Sequence, residues 1–215
     1  MKYASQALRG DAASAAGRSP KTAINRIAVF ALATLTLVPT VHAGVDEGRQ
    51  KAQVCVACHG ADGNSPAPIV PSIAGQPRQF IVTALFMFRE GRRTSALMAP
   101  FAEKLSNADL NDLAAWFASQ KLAAPTRQTT PEKIALGKAL TEKNNCVACH
   151  TATLVGQQHI PRLAGQHYEY LFEQLKQFKA STRGDFDGTM TSAAQALTAA
   201  DIEVVSEYLS TLSVP

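Results

Sequence analysis

Cys55-Val56-Ala57-Cys58-His59 and Cys146-Val147-Ala148-Cys149-His150 are the same five letters, 91 positions apart. They hold all four cysteines of a 215-residue chain. C-x-x-C-H is the pattern in which two thiols add across the vinyl groups of a haem and the next histidine is placed to ligate its iron. Two copies predict two covalently held haem c groups, one through Cys55 and Cys58, the other through Cys146 and Cys149. His59 and His150 are the expected iron ligands. Other uses of C-x-x-C fit less well. Four thiolates could build a zinc centre, but that leaves the histidine after each second cysteine unexplained, twice. A thioredoxin-like pair needs a strand-to-helix setting, and the flanks here read as helix.

The repetition extends well beyond the cysteines. Val70-Pro71-Ser72-Ile73-Ala74-Gly75-Gln76 matches Ile160-Pro161-Arg162-Leu163-Ala164-Gly165-Gln166 at an offset of 90. Met98 matches Met190, and Leu105-Ser106-Asn107-Ala108-Asp109-Leu110 matches Leu197-Thr198-Ala199-Ala200-Asp201-Ile202, both at 92. Trp116 then falls opposite Tyr208. The order of features is the same in both halves, so the chain is a tandem duplication of one fold unit. The expected domains are 44–122 and 132–215. Between them, 123–131 carries two prolines and three threonines without apolar periodicity, and reads as an extended linker.

Each unit reads as helix throughout, so the expected fold is all-α. A short helix precedes each motif, near Glu47–Val54 and Pro131–Lys143. A longer one follows each A-G-Q, over Arg78–Arg89 and His167–Ala180. In the second, Tyr168, Leu171, Leu175 and Phe178 recur at spacings of three and four. Ser106-x-x-Asp109 and Thr198-x-x-Asp201 fit capping boxes at the start of a last helix. Its apolar face would carry Leu110, Leu113 and Phe117 in one unit, and Ile202, Val205 and Leu209 in the other. No segment alternates as a strand would.

The group opposite each histidine sets what a haem iron does. A methionine or second histidine closes the site for electron transfer; an open position allows ligand binding or catalysis. Outside the expected signal the methionines are Met87, Met98 and Met190. Met98 and Met190 lie 39 and 40 residues after their histidines, in expected loops before the last helix. They are the candidate sixth ligands. Met87 sits in an apolar helical run and reads as core. His159 and His167 belong only to the second unit and keep a bis-histidine second site open, although a surface or supporting role suits them better. Pro71 and Pro161 follow their histidines by 12 and 11 residues. Their carbonyls could accept the axial Nδ1–H and fix the ring.

Residues 1–43 read as an export signal. Lys2, Arg9, Arg18, Lys21 and Arg26 precede a 12-residue apolar run, Ile27 to Val38, too short to cross a bilayer comfortably. Val41-His42-Ala43 resembles a cleavage site that would leave Gly44 first; a retained anchor helix is the alternative. The formal charge of +4 comes from this segment, which holds five basic residues and Asp11. The remaining 172 residues carry 16 charges of each sign, so no basic face for nucleic acid is implied. Export matches the haem-attachment motifs, and the expected location is the periplasm.

Together these residues resemble class I c-type cytochromes, and specifically the two-haem cytochrome c4 family, over essentially the whole expected mature chain. The marks are Cys55-Val56-Ala57-Cys58-His59-Gly60-Ala61-Asp62-Gly63-Asn64-Ser65-Pro66, both A-G-Q segments and both methionine-to-last-helix blocks. The resemblance implies two cytochrome c folds about a pseudo-twofold axis, with haem edges close together. It implies axial pairs His59/Met98 and His150/Met190. The second motif departs from the pattern: Thr151-Ala152-Thr153-Leu154-Val155 replaces the G-A-D-G run, which could make the two sites unequal. Gly48 and Gly137 keep the glycine of the first helix.

The expected role is a dihaem electron carrier rather than an enzyme. Its partners would be redox proteins, such as a membrane cytochrome complex or terminal oxidase, with loose inner-membrane association left open. The main alternative is the cytochrome subunit of a larger oxidoreductase, for example a flavocytochrome c sulfide dehydrogenase. A haem peroxidase would need an open iron, and a gas sensor would usually need an attached output domain.

Overall fold

The computed structural model describes residues 43–214. The expected export signal, His42 included, lies outside them but for Ala43, as does Pro215. Among the described residues there are ten α-helices and no strand. In the first unit these are α1 (Ala43–Lys51), α2 (Val56–His59), α3 (Arg78–Arg89), α4 (Ala99–Ala102) and α5 (Asn107–Ser119). In the second they are α6 (Pro131–Lys143), α7 (Cys146–His150), α8 (Tyr168–Lys179), α9 (Thr189–Ala194) and α10 (Ala199–Thr211). A 3-10 turn over Ala52–Val54 joins α1 to the first motif. Residues 121–130 have no regular structure, and Thr130 caps α6, so Pro131 opens that helix.

The two last helices start where their capping boxes predict. Ser106 Oγ accepts from Asp109 N, and Ser106 N donates to the Asp109 carboxylate. Thr198 and Asp201 repeat the exchange at α10. Each cap satisfies two of the N–H groups a helix start leaves unpaired, about 1 kcal/mol for the side-chain acceptor.

First and last helices cross in each unit, α1 on α5 and α6 on α10, and a glycine sits at each crossing. A Cβ on Gly48 would lie 2.7 Å from the Asp112 carbonyl carbon and 2.8 Å from Trp116 Cβ. One on Gly137 would lie 2.8 Å from Tyr208 Cγ. Only a residue without a side chain permits this approach. Around the crossings lie two small cores. Ala52, Ile81, Leu113, Ala114 and Phe117 form the first; Leu140, Leu154, Ala164, Leu171, Val205, Tyr208 and Leu209 form the second. Lys51 fastens the first crossing through Asp109 (2.7 Å) and Asp112 (2.6 Å).

The loop after each motif follows one path in both units. Gly63 O accepts from Ile73 N and Ala74 N at 2.7 and 3.0 Å; Leu154 O accepts from Leu163 N and Ala164 N at 2.8 and 3.1 Å. The path needs left-handed backbone, with φ of +82° at Gly60 and Gly63. In the second unit Thr151 (+72°) and Leu154 (+59°) take those places. The missing glycines thus leave the trace intact and add strain, about 1–2 kcal/mol for a residue with a Cβ. Leu154 offsets it by filling the second core, where it is 2% exposed.

Candidate haem-iron sites

Each motif forms a short helix whose last residue is the histidine. None of the four cysteines is spent on a disulfide; Cys55 and Cys146 are half-buried, and Cys58 and Cys149 are exposed. Before haem is attached, burial raises the Cys55 and Cys146 thiol pKa values. Among the described residues no three His, Cys, Asp or Glu side chains gather closely enough to share a metal ion, so the four thiols do not form a zinc-type centre.

His59 and His150 are 7% and 3% exposed. The Nδ1 of His59 lies 2.9 Å from the Pro71 carbonyl oxygen, and that of His150 lies 2.8 Å from the Pro161 oxygen. A carbonyl only accepts, so Nδ1 carries the proton in both rings and Nε2 is left as the electron-pair donor. Burial lowers both imidazole pKa values, and the carbonyl bond opposes it in part. The neutral ring is the form that ligates a metal. Thiol pairs beside neutral imidazoles with free Nε2 atoms fit two covalent haems.

Met98 and Met190 are both half-buried, and Met87 is 5% exposed in the first unit's interior. Met98 lies, as expected, in a turn, where it is the N-cap of α4; Met190 instead is the second residue of α9. Each backbone N–H is anchored by an upstream side chain, Met98 N to Ser95 Oγ (3.2 Å) and Met190 N to Asp185 Oδ2 (2.6 Å). One-turn helices are too short to show periodicity, which is why the sequence reads as loop there.

The spare histidines are engaged elsewhere. His167 Nε2 reaches across to the first unit, 2.9 Å from Ser65 O and 3.4 Å from Ser72 Oγ. The His159 ring packs on Phe186 at 6.0 Å between centroids.

Sequence reasoning did not assign the polar residues between the two units. Gln76 Nε2 donates to Arg162 O (3.1 Å), and Gln76 Oε1 accepts from Arg162 N (2.9 Å). Gln166 Nε2 donates to Ser72 O (2.8 Å), and Gln166 Oε1 accepts from Ser72 N (2.9 Å). Arg162, 2% exposed, donates to the carbonyls of Ala164 (2.5 Å), Ser72 (3.3 Å) and Ala74 (3.0 Å). Burial pulls its pKa down to about 10, so it stays charged at neutral pH. On the same interface Arg93 Nη2 donates to Tyr170 OH (2.9 Å) and Gln174 Oε1 (3.0 Å). The repeated A-G-Q was the available signal: a buried glutamine at matched positions has to find partners.

Comparison with known proteins agrees with this architecture. A cytochrome c family model matches residues 134–213, and the model of cytochrome c oxidase cbb3-type subunit III matches residues 45–117. Cytochrome c4 of Pseudomonas aeruginosa is 38% identical over 199 residues, covering 86% of this chain and 98% of that protein. The crystal structure of reduced cytochrome c4 from Pseudomonas stutzeri superposes with a TM-score of 0.73 at 33% identity, over 79% of this chain and 98% of that one. A thiosulfate dehydrogenase electron acceptor from Thiomonas intermedia is 33% identical over 170 residues, 74% of this chain and 78% of that protein. The two halves are cytochrome c domains that carry two covalent haem c groups at Cys55/Cys58 and Cys146/Cys149. With that duplicated fold, and with likeness to cytochrome c4 running through both halves, the chain belongs to the cytochrome c4 family.

Proposed function

We propose that this chain is a periplasmic dihaem carrier that moves electrons from respiratory donors toward a terminal oxidase. His59/Met98 and His150/Met190 are its axial pairs. Residues 44–122 and 132–215 are its domains, joined by 123–131. The observation that carries the reading is the matched pair of buried imidazoles, each held at Nδ1 by a proline carbonyl, with a methionine anchored at the equivalent point of each half.

Bound there, haem c supplies a one-electron ferric/ferrous couple. The protein's own part is to hold geometry. The Pro71 and Pro161 carbonyls fix ring tautomer and orientation and raise the basicity of Nε2. Ser95 and Asp185 hold the methionine backbones, so a ligand need not leave when charge changes. Small reorganisation on electron gain favours transfer over bond-making chemistry. Partner contacts would be small and short-lived, as in other redox encounters. Among the described residues no helix is long and apolar enough to cross a membrane. The basic and apolar segment ahead of Gly44 supports export.

The test is the visible spectrum of the reduced, matured protein before and after carbon monoxide. No change is expected, because both irons have strong ligands on each side. A prompt shift in half or all of the signal means an open site and overturns the carrier reading in favour of a ligand-binding or peroxidase function.

The likeness to thiosulfate dehydrogenase electron acceptors supports a second reading, in which the donor is such a dehydrogenase. Mixing the oxidised protein with a thiosulfate dehydrogenase and thiosulfate separates the two. Rapid reduction supports this donor, and reduction no faster than the uncatalysed background excludes it.

A further inference from the structure

The peptide joining Pro71 to Ser72 is engaged at both ends. Its carbonyl accepts from His59 Nδ1 at 2.9 Å, and its N–H donates to Gln166 Oε1 at 2.9 Å. Gln166 belongs to the other domain. The peptide joining Pro161 to Arg162 repeats this with the domains exchanged: its carbonyl accepts from His150 Nδ1 at 2.8 Å, and its N–H donates to Gln76 Oε1 at 2.9 Å. Each glutamine also donates its amide to the carbonyl of the next peptide, at 2.8 Å for Gln166 and 3.1 Å for Gln76. Both glutamines are 3% exposed, so water does not compete.

We propose that Gln76 and Gln166 are positioning residues that act across the domain boundary: each sets the strength of the histidine–proline hydrogen bond at the opposite haem, and so part of that haem's potential. The inference rests on the proposal that His59 and His150 ligate the irons. A peptide polarises as one unit. An acceptor on its N–H pushes electron density onto its carbonyl, by roughly 10–30% in bond strength for chained hydrogen bonds. The carbonyl then draws harder on the Nδ1 proton, and the ring becomes a stronger donor through Nε2. A stronger donor stabilises the ferric state and lowers the potential. The glutamine amide also holds the peptide plane, so the carbonyl keeps its aim at the ring. Gln166 therefore governs the first site, and Gln76 the second.

The test uses Gln166→Leu and Gln76→Leu in the full dihaem protein. The readouts are the two potentials from a spectroscopic redox titration and the hyperfine-shifted Nδ1–H resonances of the ferric protein. Gln166→Leu is expected to raise the potential of the first site, shift the His59 resonance and leave the second site where it was. Gln76→Leu is expected to give the mirror result. Gln166→Glu keeps an acceptor for Ser72 N–H. It guards against a general loosening of the interface, because it should return the His59 resonance toward its native position. A Gln166→Leu change confined to the second site, shared equally by both, or without effect on the His59 resonance overturns the inference. A native spectrum without two shifted imidazole Nδ1–H signals removes the ligand assignment, and the inference falls with it.

Discussion

Replacing Gly48 by alanine tests the helix crossing that organises the first domain. The added Cβ would sit 2.7 Å from the Asp112 carbonyl carbon and 2.8 Å from Trp116 Cβ, and it points at main chain that has no rotamer to change. Ordinary carbon contacts lie at about 3.5–4.0 Å, so α5 has to retreat by about 1 Å. Overpacking of this kind costs about 1–3 kcal/mol. The retreat also loosens Ala52, Leu113, Ala114 and Phe117, which belong to the first core. Against this stands the helix preference of alanine over glycine, about 1 kcal/mol. The balance is a loss of about 1 kcal/mol, or about 2–4 °C in melting temperature for a chain of this size. Gly137→Ala, with its Cβ 2.8 Å from Tyr208 Cγ, should cost a similar amount in the second domain. The assay is guanidinium unfolding of the dihaem protein followed by far-ultraviolet circular dichroism. Gln50→Ala, an exposed position on the same helix, is the reference and should stay within about 0.5 kcal/mol of native. If Gly48→Ala unfolds at or above the native midpoint, helix preference outweighs the crossing, and the close approach does not matter as argued.

Three further outcomes are expected. Replacing Cys55 and Cys58 together by alanine should yield a protein one haem lighter by mass spectrometry, with the Cys146/Cys149 site still loaded; two haems by mass would refute the attachment sites. Lys51, then Ser106, hold the Asp109 carboxyl down to about 2, below its unfolded value. Its contribution is therefore complete above about pH 4 and lost as pH falls toward 2, and Asp109→Asn should flatten that part of the stability profile in denaturant titrations. Thr151 holds a φ of +72°, so Thr151→Gly should raise the unfolding midpoint, by about 1 kcal/mol after the added chain entropy is counted; a fall would mean the threonine side chain contributes more than its backbone costs.

The repeat, the helix limits and the capping boxes were readable because each is written in local spacing. Arg78–Arg89 and Pro131–Lys143 fall where apolar periodicity and proline place them, and Ser106 and Thr198 start their helices as their motifs require. Met98 and Met190 were singled out by their matched positions; the loop expected there holds at Met98, but Met190 lies in α9, and α4 and α9 are too short to display a period. The first helix is already formed at Ala43, the first described residue, ahead of the expected Glu47. The domain boundary was the least legible region. Gln76, Gln166 and Arg162 bind carbonyls and amides there, and main-chain partners leave no complementary letter elsewhere in the sequence. His167 looked peripheral for the same reason: its contact on the other domain is the Ser65 carbonyl.

That glutamines grip main chain also bears on how a duplicated protein can age. Two fresh copies of a gene start out identical, and a join made between side chains would oblige both copies to change in step. A join made to amides imposes no such obligation. Position 72 now holds serine and its twin, position 162, holds arginine, yet both are clasped in the same way. Each half was thus free to acquire its own chemistry, a buried cation in one and a small hydroxyl in the other, without the halves parting. A chimaera that takes one half from a different relative should keep both clasps as long as each half brings its glutamine, whatever residue stands at the twin position; the contacts of Arg93 with Tyr170 and Gln174, made between side chains, are the ones it puts at risk.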